Sequence, residues 1–251
     1  MTTILVTGGT GTLGRLVTAR LRAEGHEVRV LSRRSQPYAV DLREGGPGLD
    51  AALTGVDTVV HCASTQTGGD EKAARHLVDA ARRAGVRHLL YISIVGVDRV
   101  PFRYYKAKLA VERIVEESGL GYTILRTTQF HDLVLRVLEM SAKLPVMLLP
   151  ADVPDQPIEV AEVADRLAAL AEAEPAGRVP DMGGPEVRTF RDLAAAYLRA
   201  SGKRRTVLNA PLAGRTYRAF RAGGHLAPDR ADGRVTFEEF LATRPGAKTA
   251  R

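Results

Sequence analysis

Along the first 130 residues, apolar and polar positions switch between two periods. The run TILVT (3–7) is short, β-branched and apolar, which predicts a buried strand. In LGRLVTARLRAEG (13–25), Leu13, Leu16, Val17 and Leu21 share one helical face, and Gly25 ends the helix. The same reading predicts strands at 27–32, 57–64, 87–93 and 122–127, with a short one at 38–42. It predicts helices over LDAALTG (49–55), over 70–85 with an acidic first turn and a glycine stop, and over 104–119. Strands alternating with helices imply a parallel sheet covered on both faces. The fold class is therefore α/β, a Rossmann-type doubly wound parallel sheet.

After about residue 145 the pattern changes, and Pro145, Pro150, Pro154 and Pro157 punctuate the chain. Helices are predicted at 159–173 and 189–202. Thr236 and Glu239 form a capping box, followed by a polar tail expected to fray. The division is a dinucleotide-binding part over 1–145 and a small C-terminal, substrate-binding lobe over 146–251, packed on it as one compact unit.

Composition narrows the partners. The net charge is +7 and the pI about 9.8. Arginines number 30 against 6 lysines, and they are scattered, with KRR at 203–205 the densest group. That distribution reflects an arginine-rich composition and argues against a nucleic-acid partner; an anionic cofactor accounts for part of the charge. The single cysteine, Cys62, allows no intrachain disulfide and fits a reducing, cytoplasmic setting. The chain runs from MTT straight into ILV, so no signal peptide is expected, and no apolar run is long enough to span a membrane. No metal-ligand spacing, G-x-S-x-G elbow or P-loop lysine is present, so no metal is expected, and the oligomeric state is left open.

The most informative stretch is TGGTGTLG, residues 7–14. It follows a predicted strand and opens a predicted helix, the context in which a glycine pattern points to a dinucleotide. Gly8 permits the tight turn, Gly11 lets the backbone approach a pyrophosphate, and Gly14 lets helix and strand pack closely. The helix N-terminus then offers free N–H groups to phosphate. At the end of the second strand, VLSRRS carries no acid between Val28 and Tyr38, and Arg33 lies 19 residues after Gly14. A carboxylate there would bond a ribose 2′-OH, whereas a guanidinium binds a 2′-phosphate. The expected cofactor is NADP(H); the alternative is a solvated arginine pair.

With TGGTGTLG at the start and YYKAK after the fifth strand, the chain resembles the short-chain dehydrogenase/reductase superfamily. It is most similar to the atypical, NmrA-like branch of NAD(P)-binding oxidoreductases and epimerases, which YISIVGVD, YTILRTTQFHDLV, QPIEVAEVA and GGPEV also resemble. The resemblance implies an active site of Asn, Ser, Tyr and Lys. Tyr104 and Lys108 match with the Y-x-x-x-K spacing, which places them on one helix face. The lysine would bond the nicotinamide ribose and lower the tyrosine's pKa, and the tyrosine would move a proton to or from substrate. Alternatively, both are surface residues of an amphipathic helix, as Tyr105 and Lys106 beside them illustrate.

The other two positions depart from the pattern. Asp70 stands where the Asn belongs, and an ionised Asp cannot donate the bonds an amide can; it also suits a helix N-terminus. Ser93 takes the serine's place, unless the register is one residue off and Ile94 occupies it. The candidate cofactor set comprises Gly8, Thr10, Gly11, Thr12, Leu13 and Gly14 in the turn, and Ser32, Arg33 and Arg34 after the second strand. It also includes Asp41 and Leu42, then Cys62, Ala63 and Ser64 after the third strand, and Lys108. The resemblance implies that Asp41 matches an acid that contacts adenine in relatives; otherwise it is a turn residue. His61 either lines the cofactor or is a satisfied strand-end histidine, and Cys62 reads as a packed thiol. Gln129, Phe130 and His131 are the substrate-pocket candidates. The expected function is an NADP(H)-dependent oxidoreductase acting on a small carbonyl or alcohol. Its rivals are an NADP(H)-binding redox sensor without turnover and an epimerase or dehydratase that recycles bound nicotinamide.

Overall fold

The computed structural model describes residues 1–65 and 68–244. In chain order the elements are β1 (Thr3–Thr7), α1 (Thr12–Ala23), β2 (Glu27–Leu31), α2 (Pro47–Leu53), β3 (Thr58–His61), α3 (Asp70–Ala84), β4 (His88–Ile94), α4 (Arg103–Glu116) and β5 (Gly121–Thr127). There follow α5 (His131–Ser141), β6 (Val146–Pro150), β7 (Pro154–Asp155), α6 (Val160–Glu172), β8 (Gly177–Arg178), β9 (Arg188–Thr189), α7 (Phe190–Ser201), β10 (Thr206–Ala210), α8 (Arg215–Arg221) and α9 (Phe237–Ala242).

Two compact units interleave along the chain: residues 1–93, 103–126 and 161–180, and residues 94–102, 127–160 and 181–251, the last described as far as 244. The first unit holds a six-stranded parallel sheet in the order β2-β1-β3-β4-β5-β8. Strand β1 pairs with β2 from Thr3↔Glu27 to Thr7↔Leu31, and with β3 from Ile4↔Thr58 to Thr7↔His61. The strand order reverses between β1 and β3. That is the point where open α/β sheets bind ligands beyond the carboxyl ends of their strands.

Alternation along each strand sorts its side chains onto two faces. Leu5, Leu31, Val59, Leu89, Tyr91 and Ile124 pack with Leu49, Leu53, Ala73, Leu77, Val111 and Val115 of α2, α3 and α4. Right-handed crossovers place α1 on the opposite face. There Arg20 meets Asp165 (2.6 Å) and His26 meets Glu172 (2.7 Å), joining α1 and the start of β2 to α6.

The second unit has its own core, with Leu138, Met147, Leu149, Leu193, Tyr197, Phe237 and Phe240 among its members. Its sheets are two-stranded, β6 parallel to β10 and β7 antiparallel to β9. The Thr236–Glu239 capping box forms at the start of α9, whereas the tail after residue 244 lies outside the described residues.

Three element expectations change. The strand at 38–42 is reduced to one bridge, Ser32↔Ala39, because Asp41 turns the chain: its carbonyl accepts from the Glu44 N–H (3.0 Å) and its carboxylate from the Arg43 N–H (2.9 Å). Strand β3 ends at His61, three residues early. The helix read at 49–55 begins at Pro47, whose missing N–H suits a first helical position.

Candidate functional site

A cleft of about 690 Å³ lies in the first unit beyond β1, β2 and β3. Gly8, Thr10, Gly11, Ser32, Arg33, Arg34, Asp41, Leu42, Cys62, Ala63, Ser64 and Asp70 line it. Leu31, Val40, Arg43, Thr65 and Ala73, which sequence reasoning did not single out, complete the wall. Thr12, Leu13 and Gly14 begin α1 beside it, and Leu13 and Gly14 are buried as packing residues.

The turn closes on itself, since Gly8 O accepts from the Gly11 N–H at 2.9 Å. Gly8 has φ +64°, and a Cβ there would stand 2.8 Å from the Ala63 backbone; this is the close approach that requires glycine. Helix α1 carries no acidic residue in its first turn, so its N–H groups and partial positive charge face the cleft unopposed.

Charge on the cleft wall after β2 is arranged by Asp41 and Arg43. Their side chains form a two-pronged pair (Nη2–Oδ2 2.6 Å, Nε–Oδ1 3.1 Å). Arg43's hydrogen bonds, with a smaller contribution from the charge of Arg33, hold the Asp41 carboxyl down at about 2. Its charge is thereby matched, and both its oxygens are shared with Arg43. Arg33 and Arg34 are exposed at the cleft and make no ion pair among the described residues. Two guanidiniums without an ion pair among the described residues, a bare helix N-terminus and an Asp41 matched by Arg43 fit a phosphorylated dinucleotide.

Behind the cleft, Thr7 organises the end of β3. Its hydroxyl accepts from the Ala63 N–H (3.3 Å) and shares a hydrogen bond with His61 Nδ1 (2.7 Å). His61 is buried and stacks on Tyr91 with ring centroids 5.4 Å apart. It does not line the cleft, so the satisfied strand-end reading holds. Burial, and then the nearby Lys108 cation, drive its pKa down to about 3.

An unfolded histidine protonates near 6.5. Between pH 6.5 and 3 the unfolded state therefore binds more protons, and stability falls as pH falls, by up to on the order of 4 kcal/mol. Urea midpoints measured from pH 7 to 3 should show a shallower acid limb in His61→Phe than in the parent.

Helix α4 presents Tyr104 and Lys108 on one face, but they reach different partners. Lys108 is 4% exposed; its Nζ donates to the Ile92 carbonyl (2.8 Å) and lies 4.6 Å from the centre of the Tyr91 ring. Burial brings its pKa down to about 8, against the opposing charge of Asp70. Tyr104 Oη lies 2.8 Å from Ser64 Oγ, which donates to Asp70 Oδ2 at 2.7 Å. The other Asp70 oxygen accepts from the Thr65 N–H at 2.9 Å.

Contrary to expectation, the Tyr104 phenol is held above its ordinary range, by burial first and with the Asp70 charge adding to it. The Ser64 hydroxyl would pull the other way only by turning to a phenolate, which would break its bond to Asp70. Ser93, 1% exposed at the end of β4, has no hydrogen-bond partner for its hydroxyl among the described residues. It shares a strand face with Tyr91, two residues earlier, while Ile94 takes the opposite face. Cys62 borders the cleft as a thiol pushed up to about 12 by burial, so it is no nucleophile at neutral pH.

The three pocket candidates are not among the residues that line this cleft. They belong to the second unit, where Gln129 and Phe130 are half-buried. His131 is fully buried; its Nε2 bonds the Val235 carbonyl (2.9 Å), and its ring packs on Phe237 and Phe240. It opens α5, a helix that the sequence reading did not identify, and offers a ligand no surface. Among the described residues, no helix is long and apolar enough to cross a membrane.

Comparison with known proteins agrees with this geometry. Residues 8–174 match the family described as NAD(P)H-binding. Quinone oxidoreductase 2 of Escherichia coli is 28% identical over 222 residues, 82% of this chain and 77% of the relative. The (4-alkanoyl-5-oxo-2,5-dihydrofuran-3-yl)methyl phosphate reductase of Streptomyces griseus is 33% identical over 215 residues, 80% of this chain and 74% of the relative. The crystal structure of the Escherichia coli NADPH-dependent quinone oxidoreductase QOR2 complexed with NADPH superposes with a TM-score of 0.81. It covers 95% of this chain and 98% of its own at 22% identity, a likeness of fold. The chain belongs to the NAD(P)H-binding family, in the atypical, NmrA-like branch of the short-chain dehydrogenases/reductases.

Proposed function

We propose that the protein is an NADP(H)-dependent reductase of small conjugated carbonyl compounds. The observation that carries the cofactor reading is the cleft itself: the glycine turn, the bare α1 N-terminus and the unpaired Arg33 and Arg34. Gly8, Thr10 and Gly11 would hold the pyrophosphate, Ser32, Arg33 and Arg34 the 2′-phosphate, Asp41 and Leu42 the adenine, and Cys62, Ala63 and Ser64 the nicotinamide-side ribose. Reduced nicotinamide, when bound, supplies two electrons and one hydrogen. This chain's part is to orient it and to govern the proton at Tyr104. The substrate class is supported by the two relatives above, whose names describe a quinone and an oxo-dihydrofuran bearing a second carbonyl. A reducing compartment suits the single cysteine.

A sensor without turnover is favoured by one observation: the Tyr104 and Lys108 head groups are already bonded within the protein. One set of measurements tests both readings. Arg33→Ala should weaken NADPH about tenfold or more, the loss of one charge-assisted contact, and leave NADH nearly unchanged in a fluorescence titration. Equal loss for both nucleotides removes Arg33 from the role. NADPH oxidation driven by any member of a quinone and enone panel supports the reductase. Silence across the panel, with NADPH and NADP⁺ bound at different affinities, supports the sensor.

A further inference from the structure

The bonds around Ser64 have a fixed direction. An ionised Asp70 only accepts, so the one Ser64 proton goes to Asp70 Oδ2 (2.7 Å). Ser64 Oγ is then left as acceptor, and the Tyr104 O–H donates to it (2.8 Å). The phenol therefore presents lone pairs, not its proton, to whatever lies beyond it. An amide at position 70 could donate to Ser64, release the serine proton toward the phenol oxygen and free the phenol proton for a ligand.

We propose that Ser64, anchored by Asp70, is a positioning residue that turns the Tyr104 proton inward and so fits the site to acceptors that draw their proton from solvent. This rests on the reductase reading above. A ketone reduced at its carbonyl carbon becomes a localised alkoxide and needs a proton in that step. A quinone or enone becomes a delocalised oxyanion and does not. The reaction balances as acceptor plus NADPH plus one proton, giving reduced acceptor plus NADP⁺: the nicotinamide C4–H bond breaks, a bond to that hydrogen forms on the acceptor, and water supplies the proton. Ionisable groups around these bonds include Asp70 from α3, Tyr91 from β4, Cys62 after β3, and Lys108 on the same helix as Tyr104, with Glu112 beyond it.

The test needs no turnover. The phenolate absorbance of the nucleotide-free protein, minus that of Tyr104→Phe, gives the Tyr104 titration midpoint. Asp70→Asn should lower that midpoint by about one pH unit. The same substitution in a Ser64→Ala background should lower it by less than half as much, and Ser64→Thr should restore the full effect. An equal shift with and without Ser64 would mean only a charge felt through space, and no shift would mean no link at all; either result overturns the proposal. If Asp70→Asn does not fold, Ser64→Ala alone should lower the midpoint by about half a unit and Ser64→Thr should not; an unmoved midpoint overturns it. In turnover, Asp70→Asn should lower the quinone-to-ketone rate ratio at least tenfold. A protein that reduces nothing fails the reductase reading while leaving the titration result to stand.

Discussion

Glu112→Ala should destabilise the fold by about 3–5 kcal/mol, the cost of removing one member of a buried ion pair. Glu112 and Arg126 are 2% and 4% exposed and bonded in two places, Nε–Oε1 at 2.8 Å and Nη2–Oε2 at 2.6 Å. The pair ties α4 to β5. Because Tyr104, Lys108 and Glu112 are spaced i, i+4, i+8, it also anchors the helix face that carries the Tyr–Lys pair. The fall should appear as a lower urea midpoint. Replacing both members with apolar residues (Glu112→Leu with Arg126→Met) should recover most of it, since burying two charges is itself expensive. A loss below about 1 kcal/mol in the single variant would show that water reaches the guanidinium.

The second large effect is expected at Gly14. A Cβ there would lie 2.3 Å from Gly8 O, a backbone atom with no side-chain freedom to yield. That oxygen already accepts from Gly11 N–H, so Gly14→Ala must open the turn. A stability loss of about 1–3 kcal/mol is expected from the overpacking. NADPH and NADH affinity should both fall at least about a hundredfold, or about 2.7 kcal/mol. Gly11→Ala makes the informative contrast: its Cβ would be 3.2 Å from the same oxygen with nothing else close. It should fold like the parent and lose nucleotide by occupying the phosphate's space. Denaturation curves beside nucleotide titrations separate the two variants, and normal NADPH binding by Gly14→Ala would refute the turn's role.

The sheet that positions the cleft was legible because its signals are local. Short β-branched runs, amphipathic helices and glycine stops each act over a few residues, and strand–helix alternation leaves few parallel arrangements. The cleft's glycine turn and arginines could be read for the same reason. What escaped was held by contacts distant in sequence. Strands β6 and β10 pair across some 60 residues, so neither was identified from its local pattern. His131 looked like a pocket residue until Phe237 and Phe240, about 100 residues on, closed around it.

The chemistry divides along the same line. The sequence by itself determined the residue types: an aspartate at the start of a helix, and a Tyr–Lys pair on one helix face. Only the tertiary structure decided their bonds. Ser64 comes between Asp70 and Tyr104 because β3 ends three residues earlier than its composition suggests, leaving residues 62–65 to line the cleft. Lys108 turns to the Ile92 carbonyl because a buried ammonium takes the nearest acceptor. Hydrogen-bond direction and burial set how a tyrosine proton behaves, and neither is a property of local sequence.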